Sequence, residues 1–93
     1  MAAPEEFASY FNPLVDVLAE CKAAEDAHGD LPVSAHQRLG ILTEEVGEAA
    51  QAMNDHTWKK PCPDIVRAEL VQVAATALRM IAAHDRLTIE ATT

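Results

Sequence analysis

Cysteine, glycine, aromatic side chains and positive charge are all scarce in this sequence. Its two cysteines, Cys21 and Cys62, lie far apart and in no CxxC pattern. That argues against a disulfide framework and fits a reducing, cytoplasmic setting. Three glycines and a small aromatic fraction, 4%, beside many Ala, Leu and Glu residues, turn the composition towards helix. Seven basic residues face fifteen acidic ones, giving a net charge of −8. Such a surface repels nucleic acid and anionic membrane, so neither is expected as a partner. No apolar run approaches the length of a membrane span. The start, "MAAPEEFASYF", lacks the basic opening and long apolar core of a secretory signal. No repeat, glycine-rich phosphate loop or zinc-type His/Cys spacing is present.

What remains is a chain of 93 residues, read as one domain, residues 1–93, with helical periodicity. Residues 4 to 11, with Phe7, Tyr10 and Phe11, suggest a short helix that lays aromatics on the body. Asn12 followed by Pro13 is a favourable helix start, and Leu14, Val17, Leu18, Cys21 and Ala24 then follow helical spacing to about Ala27. Ser34 and Gln37 form a capping-box pattern for a second helix. Leu39, Leu42, Val46, Ala49 and Met53 make its apolar stripe, closed by "ND" at 54 to 55. After a loop with two prolines, a third helix runs from Pro63 or Asp64 to about His84. It is apolar almost all round, more than one small domain can cover. The expected fold is therefore all-α: a bundle of three main helices plus a short N-terminal helix, completed by self-association to a dimer or tetramer.

Against that apolar background, the acids of "ILTEEVGEAA" stand out. Glu45 and Glu48 are helix neighbours, and both flank the stripe, while Glu44 points further out. On the third helix Glu69 and Gln72 repeat the three-residue spacing. A string such as E-E-x-x-E is often no more than a solvated helix face. Here, however, antiparallel packing would bring the two polar pairs together in a half-buried place. Like charges tolerate that only with something positive between them. Mg²⁺, or Mn²⁺, is the natural candidate, since such hard cations take oxygen ligands and keep several waters. A cation held there can carry a phosphate chain and polarise an attacking water.

"EEVGE" followed by "RAEL" resembles the MazG-like, all-α nucleotide pyrophosphohydrolases, whose motif is E-E-x-x-E and then E-x-x-D. The resemblance runs from about His36 to His84, and "LGILTEEVGEAAQAMND" and "RAELVQVAATALRMI" are similar to the short, single-domain proteins of that family. It implies Mg²⁺-dependent cleavage of a nucleoside triphosphate between its α and β phosphates. Carried over by position, Glu45, Glu48 and Glu69 would be metal ligands, and Glu44 a ligand or the group that orients water. Gln72 stands where the family has its last acid; it offers an oxygen to the metal but no charge.

Lys59 and Lys60, in the loop, are candidates for the β and γ phosphates. Arg67 is a candidate for phosphate or for pairing with a carboxylate. Trp58 is a candidate for stacking on a base. Two functions follow from the sequence: the pyrophosphohydrolase, and a degenerate helical oligomer that binds nucleotide or a protein partner without turnover.

Overall fold

The computed structural model describes residues 5–92, and they fold as helices. A 3₁₀ helix, Glu5–Tyr10, leads into α1, Phe11–His28; α2 spans Ala35–Trp58 and α3 spans Pro63–Thr92. There is no strand among the described residues. No helix is long and apolar enough to cross a membrane.

The helix ends follow local chemistry. Helix α1 begins earlier than the Asn12-Pro13 signal suggests: Tyr10 takes the cap position without a side-chain hydrogen bond, and Asn12 lies inside the first turn. Gly29 ends α1 at φ +72°, in the left-handed region that side chains other than glycine resist. Ser34 caps α2 as expected, its Oγ accepting from the Gln37 N–H at 3.4 Å. The expected stop at Asn54-Asp55 is overrun. Asp55 is instead satisfied within the helix, where its carboxylate accepts from Gln51 and pairs with Lys59. Trp58 is thus the last helical residue and not part of the loop. Helix α3 likewise continues past His84, through a segment without Gly or Pro, where Arg86 pairs with Asp30 and Glu90.

Helix α3 is the centre of the fold. It packs against both α1 and α2, which stay apart from each other. The direction of each pairing is fixed by its contacts. Cys62 Sγ faces the Ala52 carbonyl at 3.7 Å, and seven residues further along each helix Glu69 meets Glu45, so α2 and α3 are antiparallel. Arg67 pairs with Asp16, Cys21 Sγ faces the Ala75 carbonyl and Arg79 pairs with Glu25, so α1 and α3 are parallel. The connection from α1 to α2 must then cross the top of α3. It is pinned there by two arginines. Arg38, itself buried, donates to the carbonyls of Pro32 (3.0 Å) and Val33. Arg79 donates to the Gly29 carbonyl at 2.9 Å.

The interior is built from small residues. Ala49, Ala52, Ala75 and Ala83 are buried with Leu31, and no large side chain is fully buried among the described residues. Alanines let helices approach closely, so the larger side chains are left beside the seam. The stripe expected to form the core of α2 is accordingly only partly inside: Ala49 is buried, but Leu39, Val46 and Met53 are exposed. The face that packs on α3 carries Arg38, Ile41, Glu45, Ala49 and Ala52. The N-terminal aromatics do not cover the body either. Phe7, Tyr10 and Phe11 stay about half exposed, and among the described residues the 3₁₀ helix packs on α1 alone.

Candidate metal centre

The shift of the packed face of α2 onto Glu45 determines the site. Glu45 comes from the third turn of α2, Glu48 from the next, and Glu69 from the second turn of α3. Each contributes a carboxylate oxygen, and the three oxygens lie within 4.8 Å of one another. Glu45 and Glu69 are half-buried and Glu48 is exposed. One oxygen of Glu45 and one of Glu69, their Oε2 atoms, are sealed from water and accept no hydrogen bond. None of the three acids is in an ion pair among the described residues.

Burial pushes the Glu45 carboxyl above its ordinary range, and the charges of Glu48, Glu69, Glu20 and Glu44 push it further. Glu20, on α1, is the residue that sequence reasoning missed. It is half-buried and lines the cleft at the site, opposite α2. Its spacing from Asp16 marks one face of α1, but nothing in α1 alone indicates that this face meets α3.

The cleft has a volume of about 700 Å³ and lies between α1, α2, α3 and the crossing loop. Glu20, Glu45 and Gln72 line it on the carboxylate side, and His28, Thr76 and Arg79 line it towards the loop. Gln72 therefore faces the same space as Glu45. A smaller cleft on the other side of Glu20 and Gln72 holds Arg67 and Asp16.

The cations and the tryptophan are arranged differently. Trp58 is 82% exposed at the end of α2, about 15 Å along the helix from Glu48. Lys59 is engaged with Asp55 at 3.2 Å, and Lys60 is exposed in the loop. Arg67 makes the carboxylate pairing that its position allowed, with Asp16 of α1 at 2.7 Å. None of the four lines the large cleft.

The donor set fits a small divalent cation. Oxygens around one octahedral Mg²⁺ sit about 3–4.2 Å apart, given bonds of about 2.1 Å. The observed spread needs only a slight closure of long glutamate side chains to match. The orphaned oxygens of Glu45 and Glu69 are what a positive charge between the helices would satisfy. Glu45, Glu48 and Glu69 would hold such an ion, with Gln72 and Glu20 next in reach. Searches of protein-family models, curated proteins and solved structures return no match to this chain.

Proposed function

We propose that the chain is a Mg²⁺-dependent nucleoside triphosphate pyrophosphohydrolase of the MazG-like kind, cleaving the substrate to a nucleoside monophosphate and pyrophosphate. The observation that carries this reading is the meeting of Glu45, Glu48 and Glu69, two of them with buried oxygens that no donor reaches. The adjoining cleft, about 700 Å³, is within the size range of small-molecule sites, about 300–1,000 Å³. The motif resemblance supplies the substrate class and the bond that is cut.

In this account Glu45, Glu48 and Glu69 hold the cation, and Gln72 adds a neutral oxygen. The charge that Gln72 lacks comes from Glu20 on α1. A cation held by these residues would neutralise phosphate oxygens and lower the pKa of a bound water. Glu44, exposed beside Glu45, orients the water that attacks the α-phosphorus and takes up its proton. The new P–O bond forms as the bond between the α-phosphorus and the bridging oxygen breaks, and pyrophosphate leaves. The alanine-lined cleft receives the nucleoside.

One observation favours the second reading, a nucleotide-binding module without turnover. Lys59, a candidate for the phosphates, and Arg67, a candidate for phosphate or for a carboxylate, are occupied by Asp55 and Asp16. An assay of pyrophosphate release with each nucleoside triphosphate and Mg²⁺ decides between them. Release that disappears in Glu45→Gln supports the enzyme. Saturable nucleotide binding without release supports the module. Absence of both contradicts either reading.

A further inference from the structure

The cleft beside the carboxylates changes character along its length. At one end stand Glu20, Glu45 and Gln72; at the other, under the crossing loop, stand His28, Thr76 and Arg79. On α3, Thr76 lies four residues beyond Gln72 and Arg79 seven, about 6 and 10.5 Å along the helix. Alanines of α1, with Ala75 of α3, form the wall between the two ends. Among the described residues, no Phe, Tyr or Trp lines the cleft. An aromatic plate would accept any base by stacking. A base that enters this cleft is held along its edge instead.

Two polar side chains at the loop end are buried with hydrogen bonds to spare. Thr76 is only 7% exposed. Its hydroxyl makes no hydrogen bond among the described residues, whereas that of Thr43 donates to the Leu39 carbonyl one turn back, at 2.8 Å. Nor is it sealed as the Glu45 and Glu69 oxygens are, and Thr76 lines the cleft. The Arg79 side chain is 9% exposed. Among its several N–H donors, Nη2 meets the Gly29 carbonyl, but Nε is buried without an acceptor, with Glu25 Oε1 standing off at 3.6 Å. A donor left bare in a dry place costs free energy, which an acceptor carried in by a ligand would remove.

The surroundings favour a neutral acceptor there. Glu25 already offsets the charge of the guanidinium, so no phosphate is needed to balance it. The carbonyls of the crossing loop are largely taken, Gly29 by Arg79, and Pro32 and Val33 by Arg38. Asp30, also at this end, pairs with Arg86 at 3.7 Å. The loop end thus offers donors and few acceptors. A base carbonyl finds a partner in it, whereas a base amino group, itself a donor, does not. On the nucleotide reading of the metal centre, we propose that this end of the cleft selects the base. Arg79 donates to the carbonyl that guanine and hypoxanthine carry where adenine has an amino group, and uracil where cytosine has one. Thr76, nearly one turn closer to the carboxylates, holds the sugar. Keto-base nucleotides are then the substrates, and adenine and cytosine nucleotides are disfavoured.

Titration calorimetry on the full chain in Mg²⁺ tests this with the α,β-methylene analogues of inosine, adenosine, uridine and cytidine triphosphate. Their bridging carbon cannot be cleaved, so binding is read without turnover. Inosine differs from adenosine, and uridine from cytidine, only in that substituent and the ring proton beside it. The keto member of each pair is expected to bind about tenfold more tightly or better, the scale of one buried hydrogen bond left unmade. Arg79→Gln, whose amide offers an acceptor as well as a donor, is expected to cut the preference to about threefold or less. Should that variant lose its helical content, Arg79→Lys, which keeps the charge and lacks the Nε donor, is read in its place with the same expectation. Thr76→Val is expected to weaken all four analogues alike, by about threefold or more; unchanged affinity there overturns the contact to the sugar. Equal binding of both members of each pair by the wild-type chain overturns base selection and leaves the pyrophosphohydrolase reading standing. So does a preference that survives the Arg79 substitution, or an equal loss for all four analogues in Arg79→Gln, which would put a phosphate at Arg79. Failure of every analogue to bind removes the nucleotide reading itself, and base selection with it.

Discussion

Glu45 of α2 and Glu69 of α3 each turn one carboxylate oxygen into the seam between their helices, where neither meets water nor a hydrogen-bond donor. Burying acceptors without donors costs free energy, and doing so beside Glu48 adds like-charge repulsion. The two helices meet on these acids, as their three-residue spacings suggested, while Leu39, Val46 and Met53 of the neighbouring stripe stay exposed.

Removing one of these acids relieves the strain. In metal-free buffer Glu45→Gln is expected to raise the thermal midpoint by a few degrees, because the amide keeps the shape and lacks the charge. The gain is expected to shrink or reverse in excess Mg²⁺, which stabilises only a protein that binds it. Calorimetric melting with and without the metal checks both signs.

The pH dependence follows from the same crowding. The carboxyl of Glu45 is raised above its ordinary value, by burial first and its acidic neighbours second. The folded state then holds that proton more tightly than the unfolded chain, so acidification from neutral stabilises the metal-free protein as Glu45 protonates. Asp55 works in the opposite direction. Hydrogen bonds from Lys59 and Gln51 hold it below its ordinary value, and its contribution is lost as pH falls through that lowered value. Metal-free stability should therefore peak at acid pH, between the two. In saturating Mg²⁺ the same acidification should destabilise, because protonation of Glu45 expels the ion. Melts across pH, with and without Mg²⁺, read the two opposed slopes.

Charge at the edge of the site should tune affinity. Gln72→Asp is expected to tighten Mn²⁺ or Mg²⁺ binding about tenfold, about 1.4 kcal/mol. Glu20→Gln is expected to weaken it about three- to tenfold, or about 0.7–1.4 kcal/mol. Titration calorimetry of the two variants checks this. An unchanged affinity in Glu20→Gln would remove α1 from the metal's surroundings.

The crossing loop depends on Arg38. Its buried guanidinium donates to two carbonyls, Pro32 and Val33. Arg38→Ala is expected to destabilise the fold by about 3 kcal/mol or more, since each of the two charged hydrogen bonds contributes about 1.5–3 kcal/mol. The midpoint should fall by about 10 °C or more, at roughly 4–8 °C per kcal/mol for a domain this small. Arg38→Lys should recover only part, because an ammonium lacks the planar fork.

Much of this was legible in the residues. Ser34 marks a real helix start because its chemistry is local. The pairing of Glu45 and Glu48 with Glu69 followed from three-residue spacing on two helices joined by a short turn. What periodicity missed is tertiary. It placed Leu39, Val46 and Met53 in the core, but close approach through Ala49, Ala52 and Ala75 selected the neighbouring face. Glu20 and Arg79 face the cleft because α1 lies parallel to α3, which no pattern within α1 records. Stops assigned at Asn54-Asp55 and His84 failed because side chains four residues apart, and the crossing loop, satisfy the helix beyond them.

Calorimetric titration of Mn²⁺ or Mg²⁺ into the metal-free chain, beside Glu45→Gln and Glu69→Gln, tests the central claim most directly. The account predicts saturable uptake by the wild-type protein and its loss in both variants, with their helical content retained. Absence of uptake by the wild-type chain, or uptake that survives both substitutions, would contradict it.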